Sequence, residues 1–356
     1  MIKRKIKGLA KLISNTISCV FFTHLSRSKM NDDHFFFVHI PKTAGTSFRN
    51  TLEARCVVIN DYGVSSGQTN KAVKHNIYIQ NDPHGLLSHL KNRPSGWICG
   101  HVSLEKYINF VPVVHSITFV RSPLGQFVSH CNHSIAKHEF KGDLEGFLSK
   151  RGTSNLQSRL LSYLPLGLIG HVGITEHYDD SLKIISNQLG IKLTSVNANV
   201  NNAKAFNENE IEHDLASKIL DKNEHDVNLY NEACFIHQQR LNFLNADKPW
   251  VYAYASIDKH NVITGCAYYA EGDNPVVLAL FINDVEIKQF TAQDFFRGYP
   301  KANFPRDRYI AFNLSLTELL EPLAGDDSFD IYVQSTGQKI NYNPLMSHAS
   351  KHRKSK

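Results

Sequence analysis

The sequence predicts an α/β protein in two parts. The first is a P-loop-like, three-layer α/β/α domain around a central parallel sheet, and the second is a small all-β domain. Three observations predict this. Between 35 and about 245, apolar runs alternate with segments of helical periodicity, as in a parallel sheet covered by helices on both faces. The first apolar run passes through a small-residue turn directly into a helix, the strand–loop–helix order of P-loop-like folds. From 250 to 345 the helical period disappears and short strands with turn signals take its place.

At 356 residues the chain can bury a full core and fill two domains. Its composition is ordinary, with 42% hydrophobic and 20% charged residues, so neither a disordered nor a fibrous class fits. A net charge of +6 suits an acidic ligand or surface. Zinc-finger spacing and an aromatic-studded basic stripe are both missing, so nucleic acid is not the expected partner. Cys19, Cys56, Cys99, Cys131, Cys234 and Cys266 show no paired spacing and read as free, mostly buried thiols in a reducing, cytoplasmic setting.

The elements follow in order. Residues 1–30 are basic, and Ile2, Ile6, Leu9, Ile13, Ile17 and Val20 line one helical face. Polar residues interrupt that stretch, against a signal peptide or a spanning helix. It fits a helix lying peripherally on an anionic membrane, or the same stripe packed on the protein itself. Strands are expected at 35–40, 56–59, 97–99 and 113–120, and helices at 104–110, 122–138, 144–150, 155–163, 180–189 and 208–244. Residues 60–95 read as one long irregular connection. A change of texture near Asp247-Lys248-Pro249 divides a 31–247 domain from a 248–345 domain. In the latter, strands at 262–269, 276–282, 285–290, 309–316, 329–334 and 339–342 suggest a small antiparallel sandwich, with an immunoglobulin-like arrangement as one option. Asn283-Asp284 is its clearest hairpin turn. Its aromatic residues read as core, and the basic segment 346–356 as a disordered tail.

The chemistry concentrates in the turn after the first strand. Pro41 ends the strand, and Lys42, Thr43, Ala44, Gly45, Thr46 and Ser47 lead into a helix. Unpaired N–H groups at a helix start attract anions, Thr and Ser hydroxyls add donors, and Lys42 adds a full charge. The order differs from G-x-x-x-x-G-K-[ST], because Lys42 precedes the lone Gly45. A second anion contact is offered by Arg121 at a strand end, with Ser122 and Pro123 starting the next helix and Ser129 two turns along it. His101, after Gly100, ends a short strand and would face the same crevice as Lys42. His39, beside the cradle, is the alternative to His101, although alternation along the strand reads it as a buried neighbour.

The string HIPKTAGTS resembles the 5′-phosphosulfate loop of sulfotransferases that use 3′-phosphoadenosine 5′-phosphosulfate, in particular the carbohydrate sulfotransferases and their bacterial relatives. The string FVRSPLGQFVSH resembles their 3′-phosphate motif, an Arg followed eight residues later by Ser, about 75 residues after the first. Ser122 stands where that family has Asp or Asn. The resemblance spans about 35–245 and implies a residue role for each match. Lys42 and the N–H groups from Thr43 to Ser47 would hold the 5′-phosphosulfate, and Arg121 with Ser129 the 3′-phosphate. His101 would be the general base. The segment Asn155-Leu156-Gln157 resembles the family's Asn-x-Gln stretch near donor and acceptor, so Asn155 and Arg159 are candidates for acceptor contact. Residues 172–177 resemble a late strand, and 197–204 a loop over the nucleotide. The implied donor is 3′-phosphoadenosine 5′-phosphosulfate, with a glycan as acceptor and no metal requirement. Two rivals are a P-loop kinase-like phosphotransferase, which needs an acid where Arg121 stands, and a non-catalytic glycan- or anion-binding protein.

Overall fold

The computed structural model describes residues 34–54, 56–91, 96–194, 205–316, 329–340 and 342–344. The amphipathic stripe of 1–30, the loop 197–204 and the basic tail lie outside the described residues.

Five strands form the first sheet: β1 (Phe35–Val38), β2 (Val57–Asp61), β3 (Gly96–Gly100), β4 (Ser116–Val120) and β5 (His171–Ile174). All neighbours are parallel, in the order β2-β3-β1-β4-β5. β1 is central and buried along its whole length. Its alternate side chains serve two cores: Phe35 and Phe37 pack with Trp97, Ile117 and Phe119, while Phe36 and Val38 pack with Ile98 and Val120. An uninterrupted apolar run is therefore what this position requires.

Helices α1 (Gly45–Glu53), α2 (Lys71–Val73), α3 (Pro83–Lys91), α4 (Pro123–Ala136), α5 (Leu144–Ser149), α6 (Leu156–Leu161), α7 (Tyr178–Leu189), α8 (His213–Lys222) and α9 (Glu224–Asn245) complete the first domain. Several expectations change here. The connection after β2 is not irregular, because α2 runs on as a π-helix over Lys74–Ile79 and α3 follows. The expected helix at 104–110 is two 3-10 turns, Leu104–Lys106 and Ile108–Phe110. The expected helix at 208–244 divides into a 3-10 turn at Glu208–Glu210, α8 and α9. The strand expected from 113 begins only at Ser116, after a 3-10 turn at Val113–His115.

The second domain is a sandwich of two sheets. One carries β6 (Val251–Ile257), β7 (Val262–Tyr269), β10 (Asp294–Phe295), β11 (Tyr309–Ser315) and β14 (Tyr342–Pro344), in the order β10-β11-β7-β6-β14. The other carries β8 (Val276–Ile282), β9 (Val285–Ala292), β12 (Phe329–Val333) and β13 (Lys339–Ile340), in the order β13-β12-β8-β9. With β6 as strand A, the sheets read D-E-B-A and G-F-C-C′, the immunoglobulin-like order with one added strand. Asn283 and Asp284 both have positive φ, as a two-residue hairpin of this twist demands. Strands β6 and β10 were not foreseen.

The domains share a core. Val251, Ala255 and Ile257 of β6 point into the sandwich, while Tyr252, with Cys266 and Tyr268 of β7, packs against Leu166, Leu168 and Ile169 of the first domain. Cys56, Cys99, Cys131, Cys234 and Cys266 are free thiols, and no helix among the described residues is long and apolar enough to cross a membrane. Because one cluster crosses the boundary, both domains should melt in a single calorimetric transition. Two resolved transitions would show that they are independently stable.

Candidate anion-binding and catalytic site

The site forms where β1 and β4 end. After Val38 the chain makes one last sheet contact, from His39 N–H to the Gly100 carbonyl, and then turns. Lys42 and Ala44 both adopt positive φ, at 68° and 61°. Left-handed backbone costs a non-glycine residue about 1–2 kcal/mol, so two such residues in one turn mark a shape imposed by the surroundings. Their alternation swings successive N–H groups to one side, the geometry of an anion-binding nest. Among the described residues no acceptor meets the N–H groups from Lys42 to Thr46. Ser47 N–H is different, since it closes onto the Ala44 carbonyl. The open cradle is therefore shifted one residue toward the strand from the Thr43–Ser47 set expected from sequence. Thr43 also turns inward, its hydroxyl donating to the Ile40 carbonyl at 3.0 Å. Thr46 is exposed and Ser47 half-buried at the helix start.

Gly45 is required by space. A Cβ there would lie 2.0 Å from the His39 ring. That ring is only 5% exposed and is fixed by a relay: Arg49 donates to the Tyr62 hydroxyl at 3.0 Å, and the hydroxyl pairs with His39 Nδ1 at 2.8 Å. Burial first, then the charges of His101, Arg49 and Lys42, hold the His39 pKa well below its ordinary value.

His101 stacks edge-on against both His39 and Tyr62, at ring separations of 4.5 and 4.6 Å. It opens to the crevice and makes no hydrogen bond among the described residues. Enclosure by the surrounding walls, then Arg49, His130 and His133, brings its pKa down to about 4. The imidazole is therefore neutral near pH 7 and able to accept a proton. Gly100, just before it, has no room for a side chain: a Cβ would sit 1.9 Å from the Asp61 carbonyl oxygen.

Helix α4 closes the other side. Ser122 caps it, accepting from Gly125 N–H at 3.2 Å, and Pro123 occupies its first turn. Gln126 donates to the Pro41 carbonyl at 3.0 Å, tying the helix to the cradle. Ser129, His130 and His133 follow on that face by helical spacing; burial first, with Lys42 among the lesser causes, lowers the pKa of both histidines. The Ser129 hydroxyl is half-buried and makes no hydrogen bond among the described residues.

Arg121 leaves β4 with its backbone gripped by Gln157, which accepts from its N–H and donates to its carbonyl, both at 2.9 Å. Lys42 and Arg121 share one field: burial, then the Arg121 charge, lowers the Lys42 pKa. No carboxylate pairs with Lys42 among the described residues. Arg121 does have a partner, Glu208, at 3.0 Å. A Cβ on Gly125 would lie 2.6 Å from that carboxylate oxygen, so the glycine lets Glu208 in.

Asn155 and Arg159 lie elsewhere. The Asn155 amide donates to the Lys222 carbonyl and accepts from Asp226 N–H, bridging α6 to the end of α8 and the start of α9. Arg159 donates to the carbonyls of Gly152 and Asn155 on an exposed face. It is Gln157, between them, that reaches the site. Sequence reasoning named Gln157 only within the Asn-x-Gln segment and did not single out Arg49, Tyr62, His130, His133 or Glu208. The spacing of His130 and His133 after Gln126 offered a signal; Tyr62 and Glu208 arrive only through the fold. No protein-family model matches the chain, and no curated protein matches it.

Glu208 stands where an anion would meet Arg121. Glu208→Gln should tighten binding of inorganic pyrophosphate about two- to fivefold, the scale of a partly exposed ion pair. Calorimetry would check this, and unchanged affinity would show that Glu208 does not compete.

Proposed function

We propose that this protein is a sulfotransferase, moving a sulfuryl group from 3′-phosphoadenosine 5′-phosphosulfate to a carbohydrate hydroxyl. The observation that carries the reading is the pairing of two anion anchors across one crevice: the unclaimed N–H groups of Lys42–Thr46 at the end of β1, and Arg121 at the end of β4, close enough to depress the Lys42 pKa. A donor with anions at both ends of an adenosine matches two anchors, whereas a single phosphate needs only one. The motif resemblance at HIPKTAGTS and FVRSPLGQFVSH supports the same assignment.

In this reading the cradle holds the 5′-phosphosulfate, and Arg121 with Ser129 holds the 3′-phosphate. The donor supplies the sulfuryl group and leaves as adenosine 3′,5′-bisphosphate. Neutral His101 takes the proton of the acceptor hydroxyl as its oxygen bonds to sulfur. Lys42 faces the bridging oxygen, where negative charge grows as the sulfur–oxygen bond to the donor breaks. Positioning and charge stabilisation then account for most of the rate, as in phosphoryl transfer. Tyr62 and Arg49 act as positioning residues, fixing the His39 ring against which His101 rests. The cytoplasm is the proposed setting, with residues 1–21 as a peripheral contact to anionic membrane.

The test is calorimetry with adenosine 3′,5′-bisphosphate against AMP and ATP, followed by labelled-sulfate transfer to a glycan panel. Preference for the bisphosphate and transfer to one glycan class are expected; magnesium-dependent phosphate transfer from ATP would replace the reading. His101→Ala should lower kcat by ~10²–10⁴ and leave bisphosphate affinity nearly unchanged. With the free-enzyme pKa at about 4, kcat/KM should fall only below about pH 4. Bound donor adds negative charge and raises that pKa, so the acid limb of kcat should lie at higher pH. An acid limb that persists in His101→Ala would assign the proton to another group.

A further inference from the structure

A second cleft, about 980 Å³ in volume, opens where α6, α9 and β6 meet. None of Lys42, His101 and Arg121 lines it. Helix α6 stands between, with Gln157 directed to Arg121 and the opposite side, Asn155, Ser158, Arg159 and Ser162, facing the cleft. These four recur at helical spacing, so the polar side is continuous.

Helix α9 presents Asn228, Asn231, Glu232 and Phe235 from the other wall, and Tyr254 of the sandwich closes the end. Glu232 is half-buried and has neither a hydrogen bond nor an ion pair among the described residues. The only guanidinium in the cleft, Arg159, is already committed to two backbone carbonyls. Burial raises the Glu232 pKa. A half-buried acid without a donor is costly, and a ligand rich in donors would relieve it. Phe235 keeps 39% of its surface exposed beside these polar groups.

An open aromatic face next to carboxamides and a donor-seeking carboxylate is chemistry that fits a sugar ring. The apolar C–H face of a pyranose covers the aromatic ring, and its vicinal hydroxyls pair with Asn and Glu side chains. A sulfated or carboxylated chain would bring a second negative charge against Glu232, which disfavours it. The volume is at the upper end for a single bound small molecule, enough for several linked rings. We infer that this cleft binds a neutral, hydroxyl-rich carbohydrate chain, held by Glu232, Asn228 and Asn231 through its hydroxyls and by Phe235 and Tyr254 through ring faces. The inference rests on the cleft alone and is independent of the sulfuryl chemistry. It gives the sandwich a part in binding, since Tyr254 is its contribution.

The full chain is titrated with neutral tetrasaccharides of glucose, galactose, mannose and N-acetylglucosamine, followed by saturation-transfer NMR and calorimetry. A chondroitin sulfate tetrasaccharide and spermidine serve as acidic and cationic comparators. At least one neutral tetrasaccharide should bind. Phe235→Ala and Glu232→Ala should each weaken it about tenfold, on the scale of one lost ring contact or charge-assisted hydrogen bond. Glu232→Gln, which keeps hydrogen-bonding capacity, should lose less than Glu232→Ala. Pyrophosphate affinity should not change in any of them. Should Phe235→Ala not fold, the two Glu232 variants carry the comparison. The inference is overturned if no neutral tetrasaccharide binds, if binding survives both alanine substitutions, or if the chondroitin sulfate or spermidine binds more tightly. Loss of bisphosphate binding with glycan binding intact would count against the sulfuryl reading alone.

Discussion

The constraint on which the site depends is the confrontation of Lys42 and Arg121 at the ends of neighbouring parallel strands. The chain leaves β1 toward β3 and β2, and leaves β4 toward β5, so their C-terminal ends bound the crevice where connections diverge. Two cations there would repel each other in an empty site. The fold manages this in three ways. Burial and Arg121 make Lys42 less basic. Glu208 neutralises Arg121. His39, His101, His130 and His133 are all pushed toward their neutral forms, chiefly by burial. A polyanion bound there would offset the repulsion between the cations and compete with the Glu208 carboxylate for Arg121, while the effect of burial would remain. The site is thus less charged when empty than its composition suggests.

How much of this was legible in the sequence depends on whether the signal was local. The apolar run of β1 and the Ser122-Pro123 helix start are written in adjacent residues and appear where expected, although the strand ends at Val38 and not at the turn residue Pro41. So does the Asn283-Asp284 turn, because positive φ at both positions restricts residue choice. β6 escaped because both its faces are buried: Tyr252 serves one core and Val251 and Ala255 the other, leaving no polar alternation to read. The break between α8 and α9 escaped because Asn223 interrupts the helix without disturbing the apolar period; its side chain accepts from Asn155 N–H instead. Residues 104–110 carried enough apolar period for a helix, but the segment is too short to sustain one without tertiary support and folds as 3-10 turns.

Tyr62 and Glu208, which sequence reasoning passed over, share one property: each reaches the site from a segment whose position only the packed fold determines. Tyr62 follows β2 at the far edge of the sheet, yet its hydroxyl reaches His39 because β3 lies between them with Gly100 at its end. A larger residue at 100 would collide with the Asp61 carbonyl and push β2 away. Asp61 itself is fully buried and accepts from Lys106, Tyr78 and Tyr107 at 2.6 to 2.8 Å, which pins the strand end from which Tyr62 projects. A carboxylate so completely satisfied is a structural fixture, and its pKa is correspondingly lowered.

A similar chain of fixtures links the sandwich to Arg121. Tyr252 of β6 accepts from Arg240 of α9, whose guanidinium also donates to the Gly170 carbonyl and to Gln188. Gln239 pairs with both backbone groups of Lys339 in β13. Helix α9 is therefore held from two sides along its C-terminal half. Near its start, Asp226 accepts from the N–H groups of Gln157 and Ser158, capping α6. That cap orients Gln157, and Gln157 grips the backbone of Arg121. Each link is a buried or half-buried hydrogen bond worth about 1 kcal/mol, too weak alone to set geometry but sufficient in series to hold the Arg121 backbone in place. Strands that contribute no side chain to the anion crevice thus help to fix the backbone from which one springs, which is a physical reason for the two domains to share a core.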